Sequence, residues 1–313
     1  MKRTVIWALV GLALGGVVWS GGNREKRFQI LYTASLNGNL DGCTCKSQPR
    51  AGLVTRAHFL RTHFMRTRAA ENTVLVDAGD ILDVAADDLL AAEILDAYWE
   101  LGYDAVAVGD QEFSNGLEML IAYRDRYPLF AHNLALCPTE DRCLFFSTAP
   151  LILTRGGLQI GIFALTTEAV FRFADEAVRE GVKISSAQLA AEGMLERFVE
   201  DEVAVSVLLF HGHLEDARVL AEQVPGIDVI VVGHEQQLLE AERLGATVIV
   251  SPGEEGNRIG ILTVSVAEDG TKRFKNDFKH FDYEGDPHDQ ALQQRIAHYQ
   301  TQLKAGLKAR ADH

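Results

Sequence analysis

Four side chains of metal-ligand type stand far apart in this chain: Asp80 in D-A-G-D, Asp110 in G-D-Q-E-F, His211 in L-F-H-G-H and His234 in V-G-H-E-Q. Each follows an apolar run short enough to be a buried strand. In α/β folds the loops at the carboxyl ends of strands converge on one crevice, so residues distant in sequence meet there. Carboxylates with imidazoles make a hard-to-borderline donor set, suited to a divalent Zn, Mn, Fe or Mg ion. One histidine after a strand is ordinarily a hydrogen-bonded structural residue, whereas four such positions in this order point to a metal centre.

The four cysteines fall into two pairs. Cys137 and Cys143 flank the polar turn Pro138 to Arg142 and can close a short disulfide loop. Cys43 and Cys45 form a Cys-x-Cys unit, whose side chains diverge on an extended backbone, so a disulfide between them would be strained. They are read either as metal or redox ligands or as a buried pair of thiols.

Positioning these residues falls to alternating elements. Apolar runs at Phe28–Tyr32, Thr73–Val76, Ala105–Val108, Leu129–Ala131, Val203–Phe210 and Ile227–Val232 read as strands. Helical spacing marks Ala51–Arg68, Ala86–Leu101, Leu117–Arg126, Ala187–Glu200 and Glu215–Gln223. Ile152–Thr154 with Gln159–Ala164, then Val248–Val250, Ile259–Val266 and Lys272–Tyr283, alternate like hairpins of a second, mixed sheet. This order predicts an α/β fold, a four-layer α-β-β-α sandwich of two mixed sheets with helices outside. The domain is expected over residues 28–285, with residues 286–313 forming a polar amphipathic helix that covers the second sheet.

With 313 residues, 47% of them apolar, the chain can bury one large core or two modest ones. Its net charge of -14 argues against a duplex nucleic-acid partner, which needs basic surface to displace counterions. Lys2 and Arg3 precede an apolar run, Thr4 to Trp19, followed by the basic stretch Arg24 to Arg27. Residues 1–22 therefore read as a signal peptide or a retained N-terminal membrane anchor, the run being short of the roughly 20 residues of a comfortable span. The expected location is extracytoplasmic or periplasmic, an oxidising compartment.

From about Phe28 to Tyr283 the chain resembles the calcineurin-like metallophosphoesterases, specifically the catalytic domain of the exported 5'-nucleotidase and UDP-sugar hydrolase family. The resemblance rests on Tyr32–Gly38, Ala78–Asp80, Gly102–Ala105 leading into Gly109–Ser114, and Leu165–Thr167. It continues ungapped from His211 through Leu220–Ala221 and Val224–Asp228 to Gly233–His234. The resemblance implies that Asp80 bridges two metals and that His211 and His234 belong to the second site, with Asp110 at the family's Asn. Gln236 falls where members use Gln or His.

The first metal site departs from the family, for Ser35 and Asn37 replace an Asp and a His and are weaker ligands. Cys43 and Cys45 lie close enough in sequence to assist there. Gln111 and Ser114 replace the catalytic His and Asp. Neither carries a proton to and fro near neutral pH, and general acid catalysis is typically worth about 10²- to 10⁴-fold. His213 is a weak substitute candidate. One ion is expected rather than two. The expected activity is a divergent phosphoester hydrolysis of a small phosphorylated substrate through metal-bound water, the alternative being an inactive metal-binding or thiol-redox member. The chain ends where the resemblance places a linker helix to a base-binding domain, so base recognition of that kind is not expected. No protein partner is implied.

Overall fold

Runs of Val, Ile and Leu with period-2 alternation build the two main sheets, in a computed structural model that describes residues 25–43, 50–65, 72–85, 87–139, 141–253 and 255–311. The expected export segment, residues 1–22, lies outside the described residues. In the first sheet β1 (Lys26–Thr33), β2 (Thr73–Asp77), β3 (Ala105–Ala107) and β4 (Leu129–Phe130) run parallel. The second holds β7 (Leu151–Arg155), β8 (Leu158–Thr166), β10 (Val205–Gly212), β11 (Val229–His234), β12 (Leu238–Leu244) and β13 (Thr247–Pro252). Its four inner strands are parallel, and β7 and β12 close the edges antiparallel. A small third sheet joins β5 (Leu134–Thr139), β6 (Arg142–Phe145) and β9 (Val182–Ile184).

One sequence expectation is corrected here. The hairpin β14 (Arg258–Val266) and β15 (Lys272–His280) belongs to the first sheet, where β14 pairs antiparallel with β1 from Lys26↔Val266 to Tyr32↔Gly260. Alternation identifies a hairpin locally, but which sheet edge it completes is a non-local matter.

Alternate residues of each strand separate the layers. Ile30, Tyr32, Val74 and Val76 meet Val207, Leu209, Val229 and Val231 in the core between the two sheets. Leu31 and Leu75 face the opposite side, under α1 (Gly52–Phe59), α2 (Asp88–Glu100) and α3 (Leu117–Arg124). Leu208, Phe210 and Ile230 face α5 (Ala187–Glu200) and α6 (Leu214–Gln223). The result is the α-β-β-α sandwich that the sequence predicts. The expected single helix Ala51–Arg68 is instead α1 followed by a π-helical turn over Leu60–Met65. The C-terminal helix, α7 (Gln290–Ala311), covers α1 and α2 rather than the second sheet. Leu292 and Ile296 enter that outer core, Tyr299 Oη donates to Asp87 Oδ2 at 2.6 Å, and Arg295 pairs with Glu93 and Glu100.

Candidate metal centre

The two sheets place their carboxyl-end loops side by side, and the four predicted ligands come together there. Asp80 lies three residues past β2 and Asp110 three past β3, while His211 and His234 sit in the last turns of β10 and β11. Register holds the second pair close, Gly212 opposing His234 and His211 opposing Thr166 of β8. One ligand atom from each residue lies within 4.8 Å of all the others. His211 Nε2 is 3.3 Å from Asp80 Oδ1 and 3.3 Å from Asp110 Oδ1. His234 Nδ1 is 3.3 Å from Asp110 Oδ1 and 3.6 Å from Asp80 Oδ2. Asp80 and His211 are buried; Asp110 and His234 are half-buried, which leaves the centre open on one side.

The loops hold conformations that cost energy for ordinary residues. Among the described residues seven non-glycine positions have positive φ, and five of them, Ser35, Asn37, Asp80, His234 and Gln236, lie on these loops. Strain of this kind persists where the surroundings over-determine it, typically at functional sites. Gly79, at φ 94°, passes so close to His211 that an added Cβ would sit 2.6 Å from Nδ1. A Cβ on Gly109 would meet Asp80 Oδ1 and His211 Cε1, each at 2.5 Å. Both glycines let backbone approach the ligand side chains directly.

Behind the ligands, buried Glu112 accepts from the backbone N–H groups of Asp80, Ile81, Leu82 and Gly109 at 3.1, 2.8, 3.3 and 2.6 Å. Burial and the nearby Asp80 charge raise its carboxyl to about 7. Asp77 Oδ1 takes the Gly79 N–H at 2.9 Å, and its Oδ2 accepts from Thr33 and Tyr98. Tyr98 in turn accepts from the fully buried Arg56 at 2.6 Å. Glu112, Asp77 and Arg56 are functional supports that the sequence reading missed. Two of them carried a signal, Asp77 as the first acid of D-A-G-D and Glu112 as the acid inside G-D-Q-E-F.

The donor set fits a divalent cation. His211 Nδ1 donates to Ala78 O at 2.8 Å, the outer hydrogen bond that orients an imidazole ligand. Its Nε2 then aims a lone pair between two carboxylates, an arrangement that needs either a proton or a cation. Without a cation the imidazoles take protons. Burial pulls His211 down, but Asp80 and Asp110 hold it well above the usual histidine range. The adjacent carboxylates of Asp110 and Asp80 raise His234 to about 9. Burial would raise Asp80, yet the two imidazoles outweigh it and keep that carboxyl well below the ordinary range. The four carboxylate–imidazole separations of 3.3 to 3.6 Å put these donors near enough to share one divalent cation.

Comparison with known proteins agrees with this geometry. No family model matches the chain. Bovine 5'-nucleotidase (Bos taurus) is 28% identical over 251 residues, covering 74% of this chain and 42% of its own length. The 5'-nucleotidase precursor of Thermus thermophilus superposes with a TM-score of 0.77 at 20% identity, over 89% of this chain and 59% of the other. The calcineurin-like phosphoesterase YfkN of Bacillus subtilis gives 0.71 at 18% identity, over 89% and 98%. The chain has the fold of calcineurin-like phosphoesterases and is similar in sequence to 5'-nucleotidases. It spans less than half the length of the bovine relative.

The remaining expected site residues divide into near and far. Gln111 is drawn in: its N–H points at Asp80 Oδ1 at 3.3 Å, and its Nε2 donates to Asn37 Oδ1 at 3.1 Å. Two positions rewritten relative to the family thus form one neutral amide pair. Ser35 is buried, with an Oγ that has no hydrogen-bond partner among the described residues. Ser114 turns away and donates to Gln111 O at 2.8 Å. Gln236 is half-buried, and no hydrogen bond among the described residues ties it to the four ligands. His213 stands beside the centre, its ring 5.5 Å from that of His234, with Nδ1 2.9 Å from Glu235 Oε1. Cys137 and Cys143 are joined in a disulfide, with Cα atoms 4.0 Å apart. Cys43 is also disulfide-bonded, so the expectation of a thiolate ligand there is corrected, because an oxidised sulfur binds divalent ions poorly. Cys45 lies outside the described residues.

Proposed function

We propose that the chain is an exported, metal-dependent phosphoester hydrolase of 5'-nucleotidase type, working with one divalent ion rather than two. The observation that carries this reading is the His211 Nε2 lone pair aimed between Asp80 and Asp110, with His234 completing the set. Asp80, Asp110, His211 and His234 would hold the ion, which when bound supplies Lewis acidity toward a phosphoryl oxygen and acidifies water. The half-buried side at Asp110 and His234 admits the phosphate. The Asn37–Gln111 amide pair supports a single ion, since it puts two neutral groups where the family has a ligand and an acid. His213, oriented by Glu235, is the titratable group positioned to carry a proton at the rim. The disulfides at Cys43 and Cys137–Cys143 suit an oxidising compartment, as does the basic and apolar start of the sequence. Among the described residues no helix is long and apolar enough to cross a membrane.

The same amide pair favours a second reading, a member that holds a metal without hydrolysis, because no general acid of the family type remains. One experiment separates them. Elemental analysis of protein purified without added metal is expected to give about one divalent ion per chain. Metal-loaded protein is expected to release phosphate from an aryl phosphate, and His234→Ala to lose both. Bound metal with no phosphate released under any of Zn, Mn, Fe or Mg would establish the second reading; no bound metal at all would sink both.

A further inference from the structure

The chain leaving β8 runs through a short 3-10 turn, Glu168–Phe173, then α4 (Glu176–Gly181) and β9 before α5 returns it to the second sheet. It departs from the same sheet end that carries His211, since Thr166 and His211 are register partners. This excursion and His213 enclose a cleft of about 810 Å³, lined among others by Glu168, Phe171, Arg172, Arg179 and Lys183. His213 is shared between the cleft and the metal centre, because its ring stands against that of His234. The cleft therefore adjoins the centre at His213.

Its charge is unusual for this molecule. In a chain of net charge -14, three cations face one cleft against a single acid, Glu168. Arg172, Arg179 and Lys183 are exposed, and none of their side chains makes an ion pair or hydrogen bond among the described residues. Several other arginines are paired with acids, among them Arg218 with Glu242, Arg155 with Asp104 and Arg295 with Glu93. Arg172 lies over the ring of Phe173, 4.4 Å from its centroid, which fixes the guanidinium without neutralising it. Cations left together repel one another and create a local positive potential that draws in anions. Two guanidinium forks and an ammonium match the several oxygens of a phosphate dianion better than a lone carboxylate.

We propose that this cleft binds a second phosphate, so that the preferred substrates are small molecules carrying a phosphoester at the metal centre and another phosphate at their far end. The inference rests on the hydrolase reading for the first phosphate but concerns different residues. Exposed charge pairs are individually weak, so the three are expected to act together and to change affinity by about tenfold.

The test measures binding to the metal-loaded full chain by calorimetry, using methylphosphonate and a series of alkane bisphosphonates of increasing length, none of which can be hydrolysed. The wild-type chain is expected to prefer one bisphosphonate length over methylphosphonate by about tenfold, and R172A/R179A/K183A to lose that preference. All three side chains are exposed, so the melting temperature should be retained; R179Q/K183Q provides a milder second variant with a partial loss. No preference in the wild type, or a preference that survives in the triple variant, overturns the proposal. Preference present and lost as expected, with no ester hydrolysed, leaves the cleft standing and removes the hydrolase reading. Ester hydrolysis with no preference removes the cleft alone.

Discussion

Glu112 accepts hydrogen bonds from three consecutive N–H groups of the loop after β2 and from Gly109 of the loop after β3, so one carboxylate fixes two ligand loops against each other. Its removal leaves buried donors without acceptors, each costing about 1–3 kcal/mol. Glu112→Ala is therefore expected to destabilise the fold by about 3–5 kcal/mol and to reduce bound metal, although Glu112 is not itself a ligand. Urea denaturation and elemental analysis check the two effects, and an unchanged metal content would refute the positioning role. At this scale the convergence of Asp80, Asp110, His211 and His234 was legible because all four follow or end strands. The strained backbone of Ser35, Asn37, Asp80, His234 and Gln236 was not, since none is a glycine and nothing in their types announces a positive φ. The Asn37–Gln111 pair was equally hidden: each replacement could be read alone, but their contact depends on two loops meeting.

Between elements, the chain Arg56–Tyr98–Asp77 ties α1 to α2 and α2 to the end of β2, with Thr33 of β1 and Tyr103 closing the group. Arg56 is fully buried, and its Nε and Nη1 have no hydrogen-bond partner among the described residues. Its charge is held by the faces of Tyr98 and Tyr103, 5.3 and 5.9 Å from its centre, and by Asp77. Burial pushes the Asp77 carboxyl up more than Arg56 pulls it down, so the Tyr98 hydroxyl between them matters. Tyr98→Phe keeps the ring and removes that bridge, for an expected loss of about 1–3 kcal/mol read from the guanidinium chloride midpoint. A change under about 0.5 kcal/mol would show that the bridge is dispensable. Strand and helix positions were legible because periodicity is a local signal, as the matching bounds of α5 show. The destination of the β14–β15 hairpin and the seat of α7 were not, being decided by free edges and uncovered faces elsewhere in the fold.

Across the whole molecule the two sheets are joined by more than apolar contact, and His132 is one of the polar ties. It follows β4 of the first sheet, and its N–H donates to Ala164 O in β8 of the second at 2.8 Å. Ala164 N–H donates back to His132 Nδ1 at 3.0 Å, while Nε2 lies 3.0 Å from Ala149 O. An acceptor at Nδ1 and a donor at Nε2 describe the neutral ring, and protonation would break the bond from Ala164. Burial accordingly lowers the His132 pKa below its ordinary 6.5. The unfolded chain then takes up a proton at a higher pH than the folded one. Stability is constant with respect to this group above about pH 6.5 and falls as pH drops toward the lowered folded value. The urea midpoint of the wild type is expected to decline more steeply from about pH 7 to about pH 5 than that of His132→Gln, whose side chain does not titrate. The metal-site histidines have the opposite sign, being raised, but they are common to both proteins and cancel in the difference. Parallel pH profiles would mean that His132 accepts its proton in place, and that the contact between the sheets does not depend on its neutral form.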